Sequence, residues 1–190
     1  MSDTAHPLPD DLPEPTDDGE ADHLPDATVP SIALSATDGE SVDLSTRDGR
    51  TVVYCYPMTG RPDEDVVPDG WAEIPGARGC TPESCGFRDH HDELRERGAD
   101  AVFGLSVQST PYQREARDRL ELPFELLSDA DFEFTTALDL PMFTVDGDRY
   151  LERITLVVDD GVVEHVFYPV FPPDEHADEV ADWLAENVET

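Results

Sequence analysis

Lysine is absent from this 190-residue chain, and all 12 basic residues are arginine, set against 45 Asp and Glu. The formal net charge of −33 argues against nucleic acid or an anionic membrane as a partner, because a polyanion is repelled by both. Cysteine is scarce: Cys55, Cys80 and Cys85 are the full set. An odd number in a chain with no export signal argues against a disulfide framework and leaves buried or reactive thiols. No apolar run approaches the roughly 20 residues that span a bilayer. The first residues hold neither a basic nor an apolar stretch, so no secretory signal is expected, and the expected location is the cytoplasm.

Hydrophobic residues make up 38% of the chain, enough for one core of ordinary size. Their patterning continues from Val29 to Val188, which a disordered polyanion would lack. The expectation is a folded protein suited to a very salty cytosol, where counterions screen charges within about 3 Å at 1 M salt. Residues 1–26, rich in Pro, Asp and Glu and without periodicity, are expected to form a disordered acidic tail. Residues 27–190 are expected to form one domain.

Within that domain Val29–Leu34 and Ser41–Leu44 flank Asp38-Gly39, which predicts a β-hairpin. The apolar run Thr51–Tyr56 suits a central strand buried on both faces, ended by Pro57. Residues 58–78, with many Gly and Pro, read as a long loop. Thr81-Pro82-Glu83 reads as a helix start, and the helix should run to Arg97, with Phe87, His91 and Leu94 on one stripe and Gly98 stopping it. A buried strand at Ala101–Val107, a helix at Thr110–Leu120, a short strand at Phe124–Leu127 and a short helix at Asp131–Leu138 follow. Strands at Tyr150–Val158 and Val162–Phe167 turn at Asp160-Gly161, and a last helix spans Asp174–Asn187. This order predicts an α/β fold with a mixed sheet and helices on both faces.

Chemistry concentrates in Gly79-Cys80-Thr81-Pro82-Glu83-Ser84-Cys85-Gly86-Phe87-Arg88-Asp89. Cys80 stands at a helix start, where free backbone N–H groups and the helix dipole favour an anion, so its thiol pKa is expected to fall. In one continuous helix, a five-residue offset puts the Cys80 and Cys85 Cα atoms about 8–9 Å apart. A disulfide needs roughly 4.4–6.8 Å. A bond between them would therefore require the first turn to unwind, or Cys80 to lie outside the helix. Pro82 eases unwinding, because it already lacks an N–H donor.

This segment resembles the active-site stretch of the bacterioferritin-comigratory, or Q-type, peroxiredoxins. The likeness extends to Tyr56-Pro57, to Leu126-Leu127-Ser128-Asp129 and to the run from Arg153 to Phe167, and covers most of the chain from about Pro25. It implies a thioredoxin-like fold with an N-terminal β-hairpin, and reduction of hydroperoxides without a cofactor or metal. Thioredoxin or a similar dithiol protein is the implied reductant. Cys80 matches the peroxidatic cysteine, Cys85 the resolving cysteine, and Arg153 the arginine that supports thiolate and peroxide. Pro57 matches the family's strand-ending proline. The threonine of the family pattern is replaced by Ala77, Pro75 is two positions late, and extra loop separates Pro57 from Cys80. Thr59 and Thr81 are the candidates to supply the missing hydroxyl.

Other readings stay open. A thioredoxin-fold redox sensor or binding protein without peroxidase turnover would use the same dithiol. His90 and His91 with the two cysteines form an imaginable zinc set, although the spacing matches no common structural zinc pattern. Cys55 reads as a small core residue, and His165 as structural. Arg88 is either a second anion partner or the mate of Asp89 or Asp92 on the surface.

Overall fold

Strand β3 (Arg50–Cys55) sends alternate side chains to opposite faces, as a strand must. Val53 and Cys55 join one apolar cluster, Val52 and Tyr54 another, so β3 is buried on both sides as its apolar run predicts. The structure, a computed structural model, describes residues 14–58, 80–171 and 173–187.

The other strands of the main sheet are β1 (Ala33–Ala36), β2 (Ser41–Asp43), β4 (Ala101–Ser106), β5 (Leu126–Ser128), β8 (Ile154–Asp159) and β9 (Val162–Phe167). Their order is β2-β1-β5-β4-β3-β8-β9. β3 pairs in parallel with β4 and antiparallel with β8, which makes the sheet mixed. β1 and β2 form the expected N-terminal hairpin, although β1 begins four residues later than Val29. Helices α1 (Cys80–Asp89), α2 (His91–Glu96), α3 (Thr110–Leu120) and α5 (His176–Glu186) pack on one face through Phe87, Leu94, Ala116, Leu120, Val180 and Leu184. Helix α4 (Glu133–Leu138) covers the other through Phe134 and Leu138. Among the described residues no helix is long and apolar enough to cross a membrane.

Three expectations need correction. The helix expected to reach Arg97 is two helices, broken at His90, whose φ of −99° and ψ of 7° depart from helical values. Its ring is held between Glu93 and Asp178, contacts that a single-helix pattern does not reveal. The strand expected at Tyr150–Val158 is interrupted at Glu152-Arg153. Its first part is β7 (Asp148–Leu151), which pairs with β6 (Met142–Val145) in a separate hairpin. Asp146 and Gly147 turn that hairpin with φ of 54° and 87°, the left-handed pair that Asp-Gly turns adopt. The third correction concerns the acidic segment. Ala21 and Leu24, inside the stretch expected to be disordered, are buried in the core, and the His23 ring hydrogen-bonds the Leu138 carbonyl at 2.9 Å. Two apolar residues at helical spacing are hidden when composition is averaged over 26 residues.

Candidate active site

Three chain segments meet at the C-terminal ends of the parallel strands β3 and β4. The first is the exit from β3 through Tyr56, Pro57 and Met58, all buried. The second is the start of α1. The third is the gap between β7 and β8. Because β8 runs antiparallel to β3 with Ile154 opposite Cys55, Arg153 falls just past the end of β3. The strand break thus delivers this side chain to the site.

Cys80 is the first residue of α1, so both cysteines lie within one helix, and no disulfide joins them. With Pro82 in the first turn, the missing N–H is one that would have no helical partner there. The inward face of α1 carries Cys80, Glu83, Ser84 and Phe87, spaced as one side of a helix requires.

Arg153 is 3% exposed and Glu83 fully buried. The guanidinium donates from Nη2 to Cys80 Sγ at 3.3 Å and from Nη1 to Glu83 Oε1 at 2.6 Å. The Met58 backbone N–H also donates to the Cys80 sulfur. Burial is the largest influence on the Cys80 thiol and pushes its pKa up. Arg153 pulls it down, Glu83 pushes it up, and the Met58 N–H pulls it down. In this closed arrangement the balance is a raised pKa, opposite to the fall expected at a helix start. The expectation counted the free N–H groups and the dipole but neither the depth of the sulfur nor the Glu83 carboxylate. Burial pushes the Glu83 carboxyl up as well, against the pull of Arg153 and His176. Arg153 stays charged: burial lowers its pKa, but Cys80 and Glu83 outweigh that and raise it further.

The structure places the Arg153 guanidinium on the Cys80 sulfur; Cys85 is buried five residues further along the same helix, and Pro57 is buried just after the end of β3. Thr81 is the second residue of α1 and half-buried. Thr59 and most of the loop expected at 58–78, including Pro75 and Ala77, lie outside the described residues. Cys55 is fully buried in β3, where burial, and after it the Glu83 and Asp129 carboxylates, raise its thiol pKa. Arg88 pairs with Asp89 at 2.9 Å and donates to the Leu120 carbonyl, the surface alternative. His91 packs near Phe124, and His165 stacks on Trp183 at 4.6 Å. Sequence reasoning missed Glu83 as a site residue. The available signal was its place three residues after Cys80, which puts a carboxylate on the buried face of the same helix.

The family model described as Redoxin matches residues 20–183. The chain is 34% identical to peroxiredoxin Bcp of Escherichia coli (strain K12) over 169 residues, 84% of this chain and 94% of that one. This chain belongs to the bacterioferritin-comigratory, Q-type peroxiredoxins. The fold agrees: the crystal structure of peroxidoxin BcpB from Mycobacterium tuberculosis superposes with a TM-score of 0.70 at 26% identity, covering 88% of this chain and all of that one. The bacterioferritin comigratory protein of Xanthomonas campestris, solved as trapped intermediate and ligand complexes, gives a TM-score of 0.67 at 25% identity over 88% of this chain and 98% of that one. The sheet with its flanking helices is therefore the thioredoxin-like fold of peroxiredoxins, and this peroxiredoxin is a thiol-dependent peroxidase.

Proposed function

We propose that Cys80 is the peroxidatic cysteine, Cys85 the resolving cysteine and Arg153 the group that steadies the charge of the reaction. The observation that carries this reading is the 3.3 Å approach of the Arg153 guanidinium to the Cys80 sulfur at the first residue of a helix whose sixth residue is Cys85. The Cys80 thiolate attacks the terminal oxygen of a hydroperoxide. The O–O bond breaks, water or an alcohol leaves, and the sulfur becomes a sulfenic acid. Arg153 donates to the oxygen on which negative charge develops. Pro57 directly precedes Met58, whose N–H bears on the same sulfur, and Thr81 and Thr59 are the hydroxyls near enough in sequence to assist peroxide positioning.

Cys85 then displaces the sulfenic hydroxyl to give a Cys80–Cys85 disulfide and water. Both cysteines lie in one helix, so that bond needs the first turns of α1 to open. A thioredoxin-like dithiol restores the two thiols by exchange, a cycle suited to the reducing cytoplasm. The Xanthomonas relative is described as reducing alkyl peroxides, and organic hydroperoxides as well as hydrogen peroxide are the substrates we assign here.

The test is peroxide consumption in the presence of a thioredoxin system. Cys80→Ser should abolish it, while Cys85→Ser should complete one turnover and then stall. Undiminished turnover by Cys80→Ser would refute the assignment. Oxidation of the wild-type dithiol once, with no further turnover, would favour a redox sensor instead.

A further inference from the structure

Helix α1 must loosen before Cys80 and Cys85 can meet, so whatever grips it sets the pace of disulfide closure. Besides the Glu83–Arg153 pair, one hold on it comes from a residue of β3. Tyr54 is fully buried. Its ring lies face to face with that of Phe87 on α1, 4.4 Å apart and 6° from parallel. Its hydroxyl donates to Ser84 Oγ at 3.0 Å. Ser84 is 1% exposed, one helical turn after Cys80 and directly before Cys85. Tyr56 and Phe124 hold the Tyr54 ring from other sides.

These two contacts differ in kind. Ring stacking tolerates a slide of the helix, whereas the hydrogen bond ends once Ser84 leaves its place. A phenol stranded at that depth loses its partner with no water to replace it.

We propose that the Tyr54 hydroxyl and Ser84 form a latch on α1 that times disulfide closure, and so sets how much peroxide the enzyme tolerates before its catalytic sulfur is overoxidised. The proposal rests on the roles given above to Cys80 and Cys85. Once Cys80 carries a sulfenic acid, that sulfur has two fates. Attack by the Cys85 thiol forms the S–S bond and expels the hydroxyl, which leaves as water with the thiol proton. Alternatively, the sulfenate attacks a second hydroperoxide, takes its terminal oxygen to become sulfinic acid, and releases an alcohol or water. The first route is unimolecular and waits on the latch, while the second grows with peroxide concentration. The peroxide level at which half the enzyme is overoxidised therefore follows the closing rate. Tyr54 and Ser84 touch no reacting atom, and both are positioning residues.

Tyr54→Phe tests this in the full chain, because it keeps the ring stack and removes only the hydroxyl. Quench-flow with mass spectrometry reads the two steps separately. The rate of sulfenic acid formation should stay within about twofold of wild type. Closure should be roughly fivefold faster, as loss of one net hydrogen bond implies, and the half-overoxidation peroxide concentration should rise by the same factor. Ser84→Ala should shift the partition the same way. The double variant should add less than the product of the singles, as coupled residues do. Unchanged closure and tolerance in both singles, fully multiplicative effects, or a first step that changes in proportion to closure would each overturn the latch. A wild-type protein that forms no Cys80–Cys85 bond would instead defeat the roles on which the latch rests.

Discussion

Glu83 and Arg153 form a fully buried ion pair, Oε1 to Nη1 at 2.6 Å, and this pair fixes where the other arm of the guanidinium points. That arm is the one on the Cys80 sulfur. Glu83 thus acts in two directions, orienting the cation that favours the thiolate while adding a negative charge that disfavours it.

Glu83→Gln separates the two effects. Removing the carboxylate charge should lower the apparent pKa of the first step, since Glu83 pushes the Cys80 thiol up. Loss of the strong acceptor should loosen Arg153 and reduce the plateau rate by about 10-fold, a few tenths of the effect of losing a whole oxyanion donor on a logarithmic scale. The pH profile of sulfenic acid formation checks both. A pKa that rises, or a plateau that does not move, would contradict this account of Glu83.

Arg153→Met removes both donors to the site and leaves Glu83 buried without its cation. The first step should slow by about 100-fold or more, and its apparent pKa should rise, because the pull of the guanidinium on the thiol is gone. Stopped-flow rates across pH measure both changes.

Gly104→Ala tests the packing under α1. A Cβ there would stand 2.6 Å from Leu126 Cδ2 and 2.8 Å from the Tyr54 phenol oxygen, closer than real contacts allow. Strand β4 and the Tyr54 ring cannot both keep their places, so the variant should lose about 1–3 kcal/mol, the usual cost of overpacking. Denaturant unfolding would show this as a lower midpoint at unchanged slope.

Salt should matter more than for an ordinary protein. Asp18, Glu20 and Glu152 bring carboxylate oxygens within 4.8 Å of one another, and burial together with Glu20 and Asp18 pushes the Glu152 carboxyl up. Screening of such contacts across a chain of net charge −33 should be worth a few kcal/mol. A gain of about 3 kcal/mol moves Tm by roughly 6–12 °C. Melting in millimolar and in molar KCl measures it, and equal Tm values would refute the expectation. The sign for Glu152 follows from linkage: it holds its proton more readily folded than unfolded, so its contribution improves as pH falls through its raised pKa. At low salt, mild acidification should therefore raise Tm, and Glu152→Gln should blunt that gain.

The site proposed here was more legible in the sequence than the packing around it. Cys80 and Cys85 stand in one run whose residue types and order are specific and Arg153 heads another, and β3, β4, α3 and the β8–β9 hairpin follow from apolar runs and turn dipeptides. Features set by distant contacts were not visible. The break at His90 accompanies contacts to Glu93 and Asp178, the latter 88 positions away in the chain. The interruption at Arg153 is invisible to a pattern that counts Tyr150–Val158 as one apolar stretch. The direction of the Cys80 pKa depends on burial, which no local motif encodes. Asp146-Gly147, by contrast, was a legible turn signal of the same type as Asp38-Gly39, and the β6–β7 hairpin follows from it.

The most direct test of the central claim is peptide mass spectrometry of the wild-type protein after one equivalent of hydrogen peroxide. The account predicts loss of two thiols and a single cross-linked peptide joining Cys80 to Cys85, with Cys55 still reduced. A disulfide involving Cys55, or oxidation that leaves Cys80 as a free thiol, would contradict it.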